Sequence, residues 1–96
     1  MGGIVRLKFL GIFKKAFGSE DLSLQVEKEE KLSDILKRIG QISPSLERVL
    51  IDPVLKDPRP NAVILVNGKE ISILKGLETE INEGDELIFI PVTHGG

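Results

Sequence analysis

Apolar residues recur with a period of two along the first quarter of this chain and then, for one short stretch, with the period of a helix. That order of periods does most to limit the folds open to it. From Ile4 to Leu10, the residues Val5, Leu7 and Phe9 alternate with Arg6 and Lys8, as in a strand with one buried face. Leu22, Leu24 and Val26 alternate with Ser23, Gln25 and Glu27 in the same way, so a second strand pairs with the first as a hairpin across a Gly11 to Ser19 connection. The charged segment Glu27 to Lys31 leads away, after which Leu32, Ile35, Leu36 and Ile39 fall at i, i+3, i+4 and i+7. That spacing predicts an amphipathic helix over residues 32 to 40. Gly40 reads as its stop, and Ser33, one place after the first stripe residue, as its candidate N-cap.

Ser43-Pro44 is a second helix start, with proline in the first helical position, and the short helix it opens carries Leu46, Val49 and Leu50 onto the core. Pro53, Pro58 and Pro60 rule out regular structure between Asp52 and Asn61 and mark a surface loop. Ala62 to Val66 is a continuous apolar run, which predicts a strand inside the sheet, and Asn67-Gly68 after it signals a type I′ hairpin turn. Ile71 to Ile73 continues the hairpin; Leu74 to Ile81 then connects to a turn over Asn82 to Asp85 and a last strand from Glu86. Strands before and after one main helix, around a single small core, predict an α+β sheet with the helix on one face. In the last strand Leu87 and Phe89 can face that helix, yet Ile88 and Ile90 between them are also large and apolar. Either the Ile71 to Leu77 connection covers them or a partner does.

Several classes of function drop out on composition. A chain of 96 residues makes one domain, burying roughly 60 to 65 per cent of its unfolded-chain surface. Apolar content of 41% with 29% charged residues fits neither disorder nor a membrane protein. Runs such as Ala62 to Val66 are too short to cross a bilayer, and the N-terminus lacks a signal-peptide pattern, so a cytoplasmic location without membrane partners is expected. The absence of cysteine excludes disulfides, cysteine-ligated metal and thiol nucleophiles. With His94 the lone histidine, a histidine metal cage or a Ser-His-Asp triad lacks parts. A net charge of −2 with neither Trp nor Tyr gives no footprint for direct nucleic-acid binding. The expectation is a protein that is not an enzyme, with no catalytic residue, metal or bound cofactor of its own.

What remains is the end of the chain, His94-Gly95-Gly96. Two residues without Cβ can thread a channel that any side chain would block. They present an unhindered carboxylate, a poor electrophile that becomes useful once another protein activates it, most simply by adenylation with ATP. The carboxylate of Gly96 is therefore the candidate reactive group, and Val92, Thr93, His94 and Gly95 the residues a partner would recognise. His94 titrates near neutrality, but it belongs to recognition here, because a mobile segment holds no preorganised geometry for acid or base work. Pro91 ends the strand and stiffens the exit. Ile88, Ile90 and Pro91 form the candidate docking surface.

The ordered motifs Val66-Asn67-Gly68-Lys69, Gly76-Leu77-Glu78-Thr79 and Glu83-Gly84-Asp85-Glu86-Leu87, with the diglycine end, resemble the β-grasp superfamily of sulfur carriers and ubiquitin-like modifiers. The ending Ile88 to Gly96, with Arg59-Pro60 leading into Ala62 to Val66, is similar to the ubiquitin-related modifier branch, whose terminus is His-Gly-Gly. The Asn67-Gly68 turn is nearer to the molybdopterin synthase small subunit, although Pro91-Val92 lacks that subunit's common double proline. Small archaeal modifier proteins share the pattern, and the isoleucine-rich, amide-poor composition suits a thermophilic archaeal source. The resemblance implies a mixed four- to five-stranded β-grasp domain over residues 1–91, with a flexible tail over 92–96. It implies an E1-like adenylating partner that uses ATP, and two fates for Gly96. One is a thiocarboxylate that donates sulfur to a tRNA thiolase or to the molybdopterin synthase large subunit. The other is an isopeptide bond with target-protein lysines, which directs them to a proteasome. The alternative is a non-covalent β-grasp adaptor whose diglycine end is incidental.

Overall fold

The N-terminal hairpin forms, and a helix stands between its two strands. In the computed structural model, which describes residues 2–92, β1 (Gly3–Phe9) pairs antiparallel with β2 (Asp21–Val26), setting Val5 opposite Leu24 and Leu7 opposite Leu22. Between them the chain forms α1 (Gly11–Phe17) where the sequence predicted a plain connection. Two helical turns are marginal by themselves. Here they are held by Phe13, which is completely buried, and closed by Gly18 at φ 95°.

The main helix, α2 (Leu32–Ile42), buries the whole predicted stripe of Leu32, Ile35, Leu36 and Ile39. Both of its ends differ from expectation. At the start Lys31 is the N-cap, its N–H donating to the Asp34 carboxylate at 3.0 Å, while Leu32 donates to the Thr79 carbonyl at 2.9 Å; Ser33 sits inside the first turn. At the far end Gly40 does not stop the helix. It lies buried inside the helix and faces α3 (Pro44–Leu50), where a Cβ at position 40 would displace the Glu47 carboxylate. The stop falls three residues later, at Ser43, whose Oγ accepts from the Leu46 N–H at 3.2 Å to cap α3 just ahead of Pro44. Leu46 and Leu50 enter the core as predicted.

The described residues form a five-stranded sheet with β3 (Ala62–Val66), β4 (Lys69–Glu70) and β5 (Glu86–Pro91), in the order β2-β1-β5-β3-β4. β1 and β5 run parallel; β3 pairs antiparallel with both β4 and β5. Asn67 and Gly68 take φ of 52° and 82°, the positive values a type I′ turn requires at both central positions. The hairpin is shorter than predicted: Ile71 turns into the core within a 3₁₀ turn over Ile71–Ile73, so β4 ends at Glu70. Helices and 3₁₀ turns cover one face of the sheet, over Leu7, Phe9, Ile64, Leu87 and Phe89. The Phe9 ring lies 4.9 Å from Phe17 and 5.4 Å from Phe89. This is the β-grasp arrangement, with α2 held against a mixed sheet.

Candidate functional site

β5 lies in the middle of the sheet, and its two faces have separate surroundings. Leu87 and Phe89 point into the core and are fully buried. Ile88 stands on the other face, between Lys8 of β1 and Leu65 of β3 in the strand register, and Ile90 beside Val63. Both isoleucines are half-buried, and Val63 is exposed. The Ile71 to Leu77 connection places three of its apolar side chains in or against the core, Ile71 within the cluster and Leu74 and Leu77 packed on it, and leaves Ile73 exposed. The outer face is therefore an apolar strip of Ile88, Ile90, Leu65 and Val63, with Arg6 and Lys8 of β1 along one side.

Pro91 ends β5 for a reason visible in the hydrogen bonds. The Phe89 carbonyl accepts from the Leu10 N–H at 3.1 Å, so residue 91, two places on, turns its nitrogen to the same side. A donor there would seek the Leu10 carbonyl, and that carbonyl already accepts from Phe13 at 3.1 Å as α1 begins. Proline, which has no donor, fits this position. Its ring also rests on Gly11: a Cβ at Gly11 would come 2.8 Å from Pro91 Cγ, and Gly11 has φ +54°. On the other side the Val92 N–H donates to the Asn61 carbonyl at 2.9 Å. Asn61 is tied in turn to the Leu50 carbonyl through Nδ2 at 3.3 Å. The loop before it is stapled by Asp57, whose Oδ1 accepts from Arg59 Nε at 2.9 Å and from the Arg59 N–H at 2.8 Å. That guanidinium holds the Asp57 carboxyl below its ordinary value.

Ile88, Ile90, Pro91 and Val92 are thus brought together along the end of one strand. Thr93, His94, Gly95 and Gly96 lie outside the described residues, as does the predicted tail apart from Val92. Sequence reasoning missed Gly11 and Asn61, the two supports of the exit, and Val63 and Leu65, which complete the outer strip. The parity of the run Ala62 to Val66 was a signal for the last two, but only the pairing with β5 assigns its faces. Among the described residues, no group of three or more His, Cys, Asp or Glu is placed to hold a metal, and no helix is long and apolar enough to cross a membrane.

Comparison with known proteins adds relatives along the whole chain. The model of the ThiS family matches residues 7–96. Small archaeal modifier protein 3 of Haloferax volcanii is 25% identical over 92 residues, covering 96% of this chain and 98% of its own length. Ubiquitin-related modifier 1 of Schizosaccharomyces pombe is 29% identical over 87 residues, covering 78% of this chain and 90% of that protein. The solution structure of small archaeal modifier protein 1 from Methanosarcina acetivorans superposes with a TM-score of 0.81 at 28% identity, covering 100% of this chain and 99% of that one.

Proposed function

The chain belongs to the ThiS family, and from that premise we propose that it is a ubiquitin-like carrier whose Gly96 carboxylate is activated by an E1-like partner enzyme. The observation that carries this reading is the diglycine at 95 and 96, three and four residues beyond Val92, whose N–H is tied to the Asn61 carbonyl where β5 ends. The Gly96 carboxylate attacks the α-phosphorus of ATP and displaces pyrophosphate, giving an acyl adenylate. A persulfide sulfur on a partner then displaces AMP, and a second thiol cleaves the resulting acyl disulfide to leave a thiocarboxylate. A lysine amine attacking the activated carbonyl gives an isopeptide bond instead. Kinship with proteins named small archaeal modifier protein 3 and ubiquitin-related modifier 1 supports the isopeptide fate, and similarity to a protein of Archaeoglobus fulgidus named putative sulfur carrier protein supports the thiocarboxylate.

The domain's own part is binding and presentation. Ile88, Ile90 and Pro91 dock the activating enzyme, and Val92 to Gly95 thread its channel. An extended run from Val92 to Gly96 spans roughly 17 Å, enough to enter a buried nucleotide pocket. Sulfur then passes to a tRNA thiolase or to a molybdopterin synthase large subunit, and ATP is used only by the activating enzyme.

Intact-mass spectrometry after incubation with the cognate adenylating enzyme, ATP and a sulfur donor tests the proposal. A sulfur-for-oxygen mass gain at Gly96 establishes carriage, and isopeptide-linked species establish modification. An unchanged terminus with partner binding intact, in the full chain and after deletion of Gly95 and Gly96, overturns both in favour of an adaptor. Tryptic searches need care, because no Lys or Arg follows Lys75 and the remnant on a modified lysine would run from Gly76 to Gly96.

A further inference from the structure

The loop between α3 and β3 holds two large apolar side chains in water, Val54 at 84% and Leu55 at 65% exposure. The turn that carries them is tightly bonded. Asp52 Oδ1 accepts from the Val54 N–H at 2.9 Å and the Leu55 N–H at 2.8 Å. The Asp52 carbonyl accepts from Lys56 at 2.8 Å, the Asp52 N–H donates to the Asp57 carbonyl at 2.9 Å, and Lys56 closes the turn with φ 58°. A preordered tip that presents apolar surface costs a partner little ordering entropy on binding.

Beside this tip runs a groove of about 250 Å³, lined by Leu36 of α2, Ile51, Pro58 and Leu77, with Lys37 and Lys56 among its polar residues. A second hollow continues from it, sharing Glu47, Ile51 and Lys56 and adding Arg48 and Pro53. The charged residues of this joint surface, the tip's Asp52 included, are Lys37, Arg48 and Lys56 against Glu47 and Asp52, three positive and two negative, a local balance of +1 on a chain whose formal net charge is −2. Two copies meeting here would bring like charges together, which disfavours self-association through this face.

We propose that this helical face is a second docking surface, for an acidic segment of a partner protein that sets apolar side chains into the groove and against Val54 and Leu55. The carboxylates of such a segment would meet Lys37, Arg48 and Lys56, and its apolar anchors would cover the exposed tip. The surface belongs to the helix-covered side of the sheet, whereas Ile88 and Ile90 stand on the outer side. A partner bound here therefore leaves the strip beside β5 free, and two proteins can hold the domain at once. This inference stands whether or not Gly96 is activated.

Methyl and amide NMR titration of the full chain tests it. The probe is a blocked peptide of Leu-Leu pairs alternating with Asp-Glu pairs, and the control is the same peptide with lysine in place of each acid. Saturable shifts with the acidic peptide are expected at Leu36, Ile51, Val54, Leu55 and Leu77, with Kd below about 1 mM and weaker binding at high salt. The Lys37→Glu, Lys56→Glu double variant should bind about tenfold or more weakly, a change of about 1.4 kcal/mol, as should Leu55→Ser. All three positions lie at the surface, so these variants should fold, and an unchanged amide spectrum away from the groove checks that. Absence of saturation, equal binding of the lysine peptide, shifts centred on Ile88 and Ile90, or full affinity in the variants overturns the proposal. Concentration-dependent dimerisation through Leu55 would overturn it too, by giving the surface to a second copy.

Discussion

On its inner face β5 buries Leu87 and Phe89 completely, whereas on its outer face Ile88 and Ile90 are only partly buried among Lys8, Leu65 and Val63. All four side chains are large and apolar, so residue type does not separate the core from the outer strip. Parity along the strand does, because neighbouring residues point to opposite faces. A slip of one residue would exchange the two sets. The parallel pairing with β1 and the antiparallel pairing with β3 fix that register from both sides. A strip with the chemistry of a core, held outward by the sheet's own geometry, is what a partner would need to find beside the chain's exit.

Four sets of substitutions test this contrast and its surroundings, from the largest expected effect to the smallest. Phe89→Ala opens a cavity against Phe9 and should cost about 3–5 kcal/mol of stability in denaturant unfolding; a loss below about 1 kcal/mol would mean the inner face is not the core of the fold. Gly11→Ala forces a Cβ into the left-handed region and against Pro91. It should cost about 1–2 kcal/mol, and adding Pro91→Ala should recover the steric part. Ile88→Thr and Ile90→Thr keep a β-branched residue on the strand and should each cost under about 1 kcal/mol. Each should nevertheless slow adenylation of the chain by its E1-like partner about tenfold, and unchanged rates would remove the outer strip from docking. The smallest effect concerns pH. Arg59 lowers the Asp57 carboxyl in the folded state, so this pair stabilises the fold above the ordinary carboxylate value. That contribution is lost as pH falls through the lowered one. Asp57→Asn should flatten that part of the acid limb of a stability–pH profile, and salt should reduce the difference.

Most of the fold was legible because most of it repeats a period. β1, β2 and α2 each carry several residues in phase, β3 and β5 are continuous apolar runs, and Pro44 and Asn67-Gly68 mark turns with residues chosen for backbone angle. α1 was not legible: over two turns only Phe13 is buried and Leu10 brings no polar side chain to its N-cap, so tertiary contact decides it. Gly40 misled for a similar reason. The glycine that looks like a helix stop sits inside the helix and faces the Glu47 carboxylate, a residue seven places on whose position depends on the turn at Ser43. At the candidate site, the outward pair Ile88 and Ile90 could be picked out from the strand alone. Their neighbours could not, because Lys8 and Val63 reach them only through pairings between segments far apart in sequence.

The strand that closes the sheet is also the last one made. Among the described residues only β5 joins β1 to β3, so a chain halted anywhere before residue 86 has two half-sheets and no strand to join them. During synthesis, then, the domain cannot assemble from its N-terminal end as it emerges. A partner that grips the folded sheet has, by that grip alone, checked that translation went on at least through β5.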